Sequence, residues 1–446
     1  MRRTAILFAA LGLAACAIRP VGESAERDRA AEAGTAFVQR FEERKLPDLA
    51  PDAGLAAVQE RAGLSNAELE RAYWEWRAAI ERVPQESTTP TTAALSLETM
   101  LSGGMGSFLD RSSFTLSNDP MANIPWPKKL AVAGRIALDE ARATGLRFEK
   151  ARLELRERVT AAWWEWVVLG ERIRLKEADL AYLDIAVAAV EARVRAGAAT
   201  QGELLKLRVE ESLARNDLET LRSEVPGRRA ELNALLSRRP DAPVAMPGTV
   251  DAPRPADFAD EALLARAADR NPELLALSRE MQGRTQAIEL ARLQYLPDFS
   301  LGVGLDPGEW ATRVMGMITV PILRRPAIEG AIEQARADVR ATEAMRRQVG
   351  NDLAAQLVLQ LYALRNADRQ IRLFEEAIVP ESDQAVRALQ GVYATGRIPL
   401  QELLDSLRVW IDARAALAEV RAAREKSLAR IEALAAVDTS ASAGFP

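Results

Sequence analysis

Apolar residues recur along this chain with two different periods, and each period occurs twice. Ile173, Leu180, Val187 and Val194 fall seven apart, with Leu183 and Val190 interleaved. That spacing predicts a coiled-coil seam over about three heptads. A second line, Ile371, Ile378, Ala385 and Val392 with Phe374 and Ala388 between, predicts the same seam again. Its smaller side chains imply closer approach of the neighbouring helices. From about Arg135 to Ala196 only Gly145 and Gly170 disturb the helical pattern, a run of about 60 residues that exceeds ordinary globular helices. Ala196-Gly197 then predicts a reversal into a helix from about Gln201 to Leu236, interrupted at Pro226-Gly227. Thr395-Gly396, Pro399 and a helix to about Ala435 predict the same hairpin a second time.

The other period is two. Phe299, Leu301, Val303 and Leu305 alternate with Ser300, Gly302 and Gly304, and Asp306-Pro307-Gly308 turns the chain. Val314, Ile318 and Val320 then share one face of a return strand, so a β-hairpin is expected. The earlier counterpart is weaker. Ala93, Leu95 and Leu97 alternate, Phe114 and Leu116 begin a return, and Asp119-Pro120 interrupts it. Strands of about 9–11 residues suit a tilted membrane crossing, but four strands in one chain cannot close a barrel. On period alone, membrane and soluble hairpins are equally good readings. Each β segment is preceded by a helix with an asparagine cap, Asn66 or Asn271, and Pro272 occupies a first helical position.

A duplication accounts for the doubling. Gly197, Glu203, Leu204, Leu205, Ala214, Arg215 and Leu218 reappear as Gly396, Glu402, Leu403, Leu404, Ala413, Arg414 and Leu417, always at the offset 396 − 197 = 199, without a gap across 22 positions. The resulting partition is a leader at 1–15, an N-terminal segment with the first entry helix at 17–92, a first β-hairpin at 93–127 and a first long helical hairpin at 128–238. A proline-rich linker at 239–258 follows. The second copy has its entry helix at 259–296, its β-hairpin at 297–321 and its long helical hairpin at 322–436, before a small polar tail at 437–446.

Composition narrows the chemistry. The 446 residues carry a formal net charge of −5 and no histidine. Neither a basic nucleic-acid footprint nor the commonest general base and transition-metal ligand is present. No catalytic or metal-ligating constellation emerges, so neither catalysis nor a cofactor is expected. Arg2 and Arg3, the apolar run Thr4 to Leu13 and Leu13-Ala14-Ala15-Cys16 form a signal peptide. Cys16 is the only cysteine, which excludes intrachain disulfides. Leu-Ala-Ala-Cys resembles a lipobox, which implies acylation of Cys16, and Ala17 after it favours the outer membrane.

Asn271-Pro272-Glu273-Leu274, Leu296-Pro297-Asp298-Phe299-Ser300-Leu301, Val320-Pro321-Ile322 and the two turns around Gly197 and Gly396 together resemble the TolC-like outer-membrane efflux protein family. The lipidated, CusC- and CzcC-like outer-membrane factors are the nearest branch. The resemblance implies a mainly α fold with a small β part, in which duplicated long α-helical hairpins and two β-hairpins build a trimeric α/β-barrel channel. It implies a homotrimer in outer-membrane lipid, a periplasmic adaptor (membrane fusion protein) at the helical turns, and an inner-membrane pump behind the adaptor. The channel would be a passive conduit for metal cations or small toxic compounds. The alternative is a lipid-anchored periplasmic helical scaffold without a pore.

By the same resemblance, Arg195, Gly197, Thr200, Gly396, Arg397 and Leu400 would meet the adaptor. Glu402 and Asp405 fall at the positions of acidic rings that close the periplasmic mouth. Tyr393 and Arg397 resemble its closing links, with Glu203 as an acceptor.

Overall fold

The computed structural model describes residues 18–50, 53–89, 93–99, 112–118, 124–247, 254, 256, 258–306, 311–394 and 397–437. Outside them lie the expected leader with Cys16, the stretches holding Gly103-Gly104, Asp119-Pro120 and Pro307-Gly308, Gly396, and the residues from 438 onward. The described chain separates into two compact units. One gathers the described parts of Met1–Thr35, Arg71–Phe148 and Pro272–Val349; the other takes Ala36–Glu70, Glu149–Asn271 and Gly350–Pro446.

In the first unit a four-stranded antiparallel sheet joins the two copies. β1 (Ala93–Thr99) pairs with β2 (Ser112–Asn118), and β3 (Asp298–Asp306) pairs with β4 (Ala311–Thr319). The sheet runs β1-β2-β3-β4 because Phe114, Thr115, Leu116 and Ser117 of the first hairpin lie opposite Leu305, Gly304, Val303 and Gly302 of the second. An isolated bridge between Ile124 and Phe299 extends that contact past the end of β2.

Helices then support the sheet. α1 (Glu23–Ala33) is fixed by Trp76, whose Nε1 donates to Glu26 Oε1 at 2.9 Å, and by a two-armed pair between Arg27 and Glu81. The Trp76 ring is fully buried and stacks on Phe148 at 5.7 Å. Gly145 makes this possible, since a Cβ there would meet the indole at 2.6 Å. Ile18 N–H donates to the Ser87 carbonyl at 3.2 Å, which holds the N-terminal segment near the end of the entry helix. Lys129 Nζ donates to the Leu296 carbonyl at 2.9 Å and pairs with Asp298 at 2.7 Å, so one buried cation joins the start of a long helix to β3.

Along the chain, α2 (Leu55–Ser65) leads to α3 (Ala67–Ser87), the entry helix that Asn66 opens. α4 (Pro127–Arg195) turns back into α5 (Gln201–Leu235). The second copy repeats this with α6 (Asp260–Arg270), α7 (Pro272–Leu293), α8 (Arg325–Leu373), α9 (Val379–Ala394) and α10 (Leu400–Ala435). Pro226 does not interrupt α5. One lost backbone bond is outweighed because Leu221 and Leu232 are buried on either side of it.

The first seam forms as its spacing predicts: Leu183 and Val190 are buried, with Leu180, Val187 and Val194 packed beside them. The second is displaced by one residue. Ala385, Ala388 and Val392 face outward, and Val386, Leu389 and Tyr393 face the core in their place. The cause is a π turn at Phe374–Ile378, where Val379 N–H reaches back to the Phe374 carbonyl. A π turn adds one residue to a helix and rotates everything after it. Pro380 follows two residues after the turn; lacking an N–H, it suits a place where the regular ladder is already broken.

The linker is fastened too. Trp166 Nε1 donates to the Ala245 carbonyl at 2.9 Å, and Met246 covers Gly170 at 3.4 Å from its would-be Cβ. Arg254 bonds Glu425 at 2.7 Å and Glu432 at 3.1 Å, and Arg424 joins Asp368 at 2.5 Å to Glu425 at 2.6 Å. Arg424, Glu425 and Glu432 are all buried.

Candidate functional site

The two helical turns lie in the second unit, above a shared core of Leu183, Val190, Leu204 and Leu207 from the first hairpin and Val386, Leu403, Leu404 and Leu407 from the second. In the first turn Gly197 takes φ +70°, a conformation glycine adopts without the Cβ penalty. Its N–H donates to the Val194 carbonyl at 3.0 Å, and Ala198 N–H donates to the Arg193 carbonyl at 2.8 Å. In the second turn Arg397 N–H donates to the Val392 carbonyl at 3.3 Å, the Ala198–Arg193 bond moved by 199 positions.

The turns differ in how they start the returning helix. Thr200 caps α5: its hydroxyl accepts from Glu203 N–H at 3.2 Å, and the Glu203 carboxylate accepts from Thr200 N–H at 3.2 Å. This capping box satisfies two backbone donors at once. At the second turn the equivalent pair is Pro399 and Glu402. Proline has neither a hydroxyl nor an N–H, and no side chain caps α10. The duplicated glutamates therefore have different surroundings. Glu203 is held on its own backbone, whereas Glu402 is exposed at a helix start with no such partner at 399.

Asp405, one turn further on and also exposed, accepts from Gln401 Nε2 at 3.0 Å and Arg408 Nη1 at 3.4 Å. Arg408 reaches Glu210 Oε1 at 3.0 Å with its other arm, so it joins the two hairpins. Sequence reasoning passed over Arg408; its signal was a cation three residues after Asp405 on the same face. Deeper in the hairpin Trp410 Nε1 donates to Asp383 at 3.1 Å while the Arg414 guanidinium lies 4.3 Å above the indole.

Among the residues expected at the turns, Arg195, Gly197, Thr200, Arg397, Glu402 and Asp405 are exposed. Tyr393 and Leu400 are partly buried and pack against the hairpin core. Gly396 lies outside the described residues. Elsewhere, Asp139 on α4 is buried and bonds Gln286 Nε2 at 2.7 Å. Burial raises its carboxyl above the ordinary range, and the Arg142 guanidinium opposes that shift.

A four-stranded sheet together with long duplicated helical hairpins defines the class of protein, and comparison names the family. The model of the outer membrane efflux protein family matches residues 116–238 and 263–437. This chain belongs to that family. It is 25% identical over 425 residues to the cobalt-zinc-cadmium resistance protein CzcC of Cupriavidus metallidurans, covering 93% of this chain and 94% of that one. Its fold is similar to that of a membrane protein from Pseudomonas aeruginosa, with a TM-score of 0.73 at 19% identity over 86% of this chain and 90% of the other. It is similar as well to CusC, with a TM-score of 0.68 at 16% identity over 90% and 96% of the two chains.

Proposed function

We propose that this chain is the outer-membrane channel subunit of a tripartite efflux system, assembled as a homotrimer. The observation that carries the reading is the four-stranded sheet with β1 and β4 at its edges. An open edge in lipid leaves backbone donors and acceptors unpaired, so a membrane sheet must close on itself. Three copies supply about twelve strands, enough for a barrel with an aqueous interior. The helical hairpins extend that passage into the periplasm, where the Gly197 and Gly396 turns meet an adaptor fed by an inner-membrane pump.

Cys16 is the lipid anchor in this reading. Ile18, two residues on, is hydrogen-bonded at the end of the helix that leads to β1, which supports a membrane-side position for the N-terminus. The cargo is divalent metal cations or small toxic compounds. Full-length likeness to a protein named for cobalt, zinc and cadmium resistance supports the first. The subunit is a passive conduit with no catalytic step, and the pump selects the cargo. Planar-bilayer recording of the purified protein tests the function: the proposal requires discrete channel openings, and a protein that inserts without conducting contradicts it.

A further inference from the structure

The charged residues of the described strands, Glu98, Asp298, Asp306 and Arg313, all fall on one face of the sheet. Successive strand residues alternate between faces, and residues directly opposite each other share one. Ser96 lies opposite Thr115, Thr115 opposite Gly304, and Gly304 opposite Arg313, so one row crosses all four strands. Glu98, opposite Ser113, and Asp306, opposite Ala311, lie two residues beyond that row on the same face. Both are displaced toward the ends where β1 passes to β2 and β3 to β4. Asp298 sits at the other end of this face, where Lys129 pairs with it at 2.7 Å.

The opposite face carries the pairs Leu97–Phe114, Leu116–Val303 and Phe299–Ile318 and, among the described strand residues, no charge. Ile318 on it is 71% exposed, so this chain leaves that end of the apolar face uncovered. In a sheet closed within a bilayer, an uncharged apolar face turns to lipid and a polar one to the water-filled interior. The two faces are therefore assigned by register. Arg313 becomes the one cation among the described strand residues on the water side, with an acidic row beside it.

We propose that Arg313 is a specificity-determining residue of the conduit, at a position distinct from the helical turns. Three copies would set a cationic row across the passage, and Glu98 with Asp306 an acidic row about 7 Å further along it. Rings of fixed charge select permeant ions by sign. With two carboxylates to each guanidinium the pair of rows favours cations, and Arg313 holds that preference down. The assignment rests on the trimeric conduit reading and adds to it which strand residues an ion meets.

Reversal potentials of the full chain in planar bilayers, under a potassium chloride gradient, read the selectivity. In about 0.1 M salt Arg313→Gln should raise the cation-to-anion permeability ratio about twofold or more, and Glu98→Gln with Asp306→Asn should lower it comparably. Arg313→Lys should leave it unchanged. In about 1 M salt, where screening acts within about 3 Å, the differences should fade. A second measurement needs no current. In proteoliposomes a membrane-impermeant charged thiol reagent should label Arg313→Cys and spare Val314→Cys, with the unaltered chain as background. Where position 313 tolerates no substitution, Met315→Cys reports the same face. Openings whose selectivity is indifferent to Arg313→Gln overturn the proposal, and so does labelling of Val314→Cys in place of Arg313→Cys. No openings from the unaltered chain would overturn the conduit reading itself, and this assignment with it.

Discussion

The side-chain amide of Asn271 donates to the carbonyl of Leu434 at 3.0 Å. Asn66 does the same to Leu235 at 3.0 Å, 434 − 235 = 199 positions earlier at the acceptor, while its Oδ1 accepts from Glu68 and Leu69 N–H at 3.0 Å each. One residue type thus starts the entry helix and binds the end of the returning helix in each copy. Asn66→Ala removes both functions and is expected to cost about 1–3 kcal/mol. Asn66→Asp keeps the cap acceptor and loses the donor, so it should cost less. Denaturation of the two variants side by side checks the order.

Asp139 gives a pH signature. Its carboxyl titrates above its unfolded value because burial disfavours the charge. Folding therefore favours the protonated form, and that contribution is complete below the unfolded pKa and lost as pH rises through the folded one. Asp139→Asn should accordingly raise Tm at pH 7, with the advantage shrinking to nothing as pH falls below the ordinary carboxylate range. A constant advantage at every pH would place the effect in packing and not in charge.

The unequal turns make a prediction about selectivity. Glu402 and Asp405 would present rings of carboxylate in a trimer, so Glu402→Gln with Asp405→Asn should lower cation selectivity in bilayer reversal-potential measurements. Glu203→Gln should change it little, because that side chain is bound to Thr200 N–H and a glutamine can still accept there. Pro399→Thr is the sharper variant. It restores the hydroxyl and N–H that the first copy uses, ties Glu402 to its own helix, and should reduce selectivity without removing any charge.

The π turn at Phe374–Ile378 can be removed without disturbing the residues beyond it. Deleting exposed Glu376 takes out the extra residue, and Pro380→Ala restores the missing N–H. Val386 and Tyr393 should keep their inward position, and stability should rise by about 1–3 kcal/mol. Hydrogen exchange around 374–380 should slow in step. A variant in which Ala385 turns inward would show that the π turn does not set the register.

Much of this was legible because long periodic segments carry strong signals. The heptads around Leu183 and Val190, the alternation from Phe299 to Leu305, and the 199-residue offset led to the duplicated hairpins and to the family. The displaced second seam was not legible from heptad counting, since a π turn leaves the apolar residues in place and changes only which of them face inward. Pro380 was the available sign. Pro226 misled in the opposite sense: a helix buried on both sides of a proline tolerates it. At the turns, the type of residue was readable and its partner was not. Glu203 and Glu402 look alike in sequence, and only the residue three places earlier, Thr200 or Pro399, separates a capping carboxylate from an exposed one. That Tyr393, expected as a closing link, and Leu400, expected on the adaptor-facing tip, also pack partly against the shared core was not legible, because the rotation introduced by the π turn and the packing of α10 are tertiary effects.

The account depends on β1 of one subunit meeting β4 of the next. A variant with cysteines at mid-strand positions Ser96 and Met315, oxidised in intact outer membranes and run under denaturing conditions, tests this directly. Covalent dimers and trimers with nothing larger are the expected result, and each single-cysteine control should lack the trimer. Chains that remain monomeric, or a ladder continuing past three, would contradict a closed ring of three subunits.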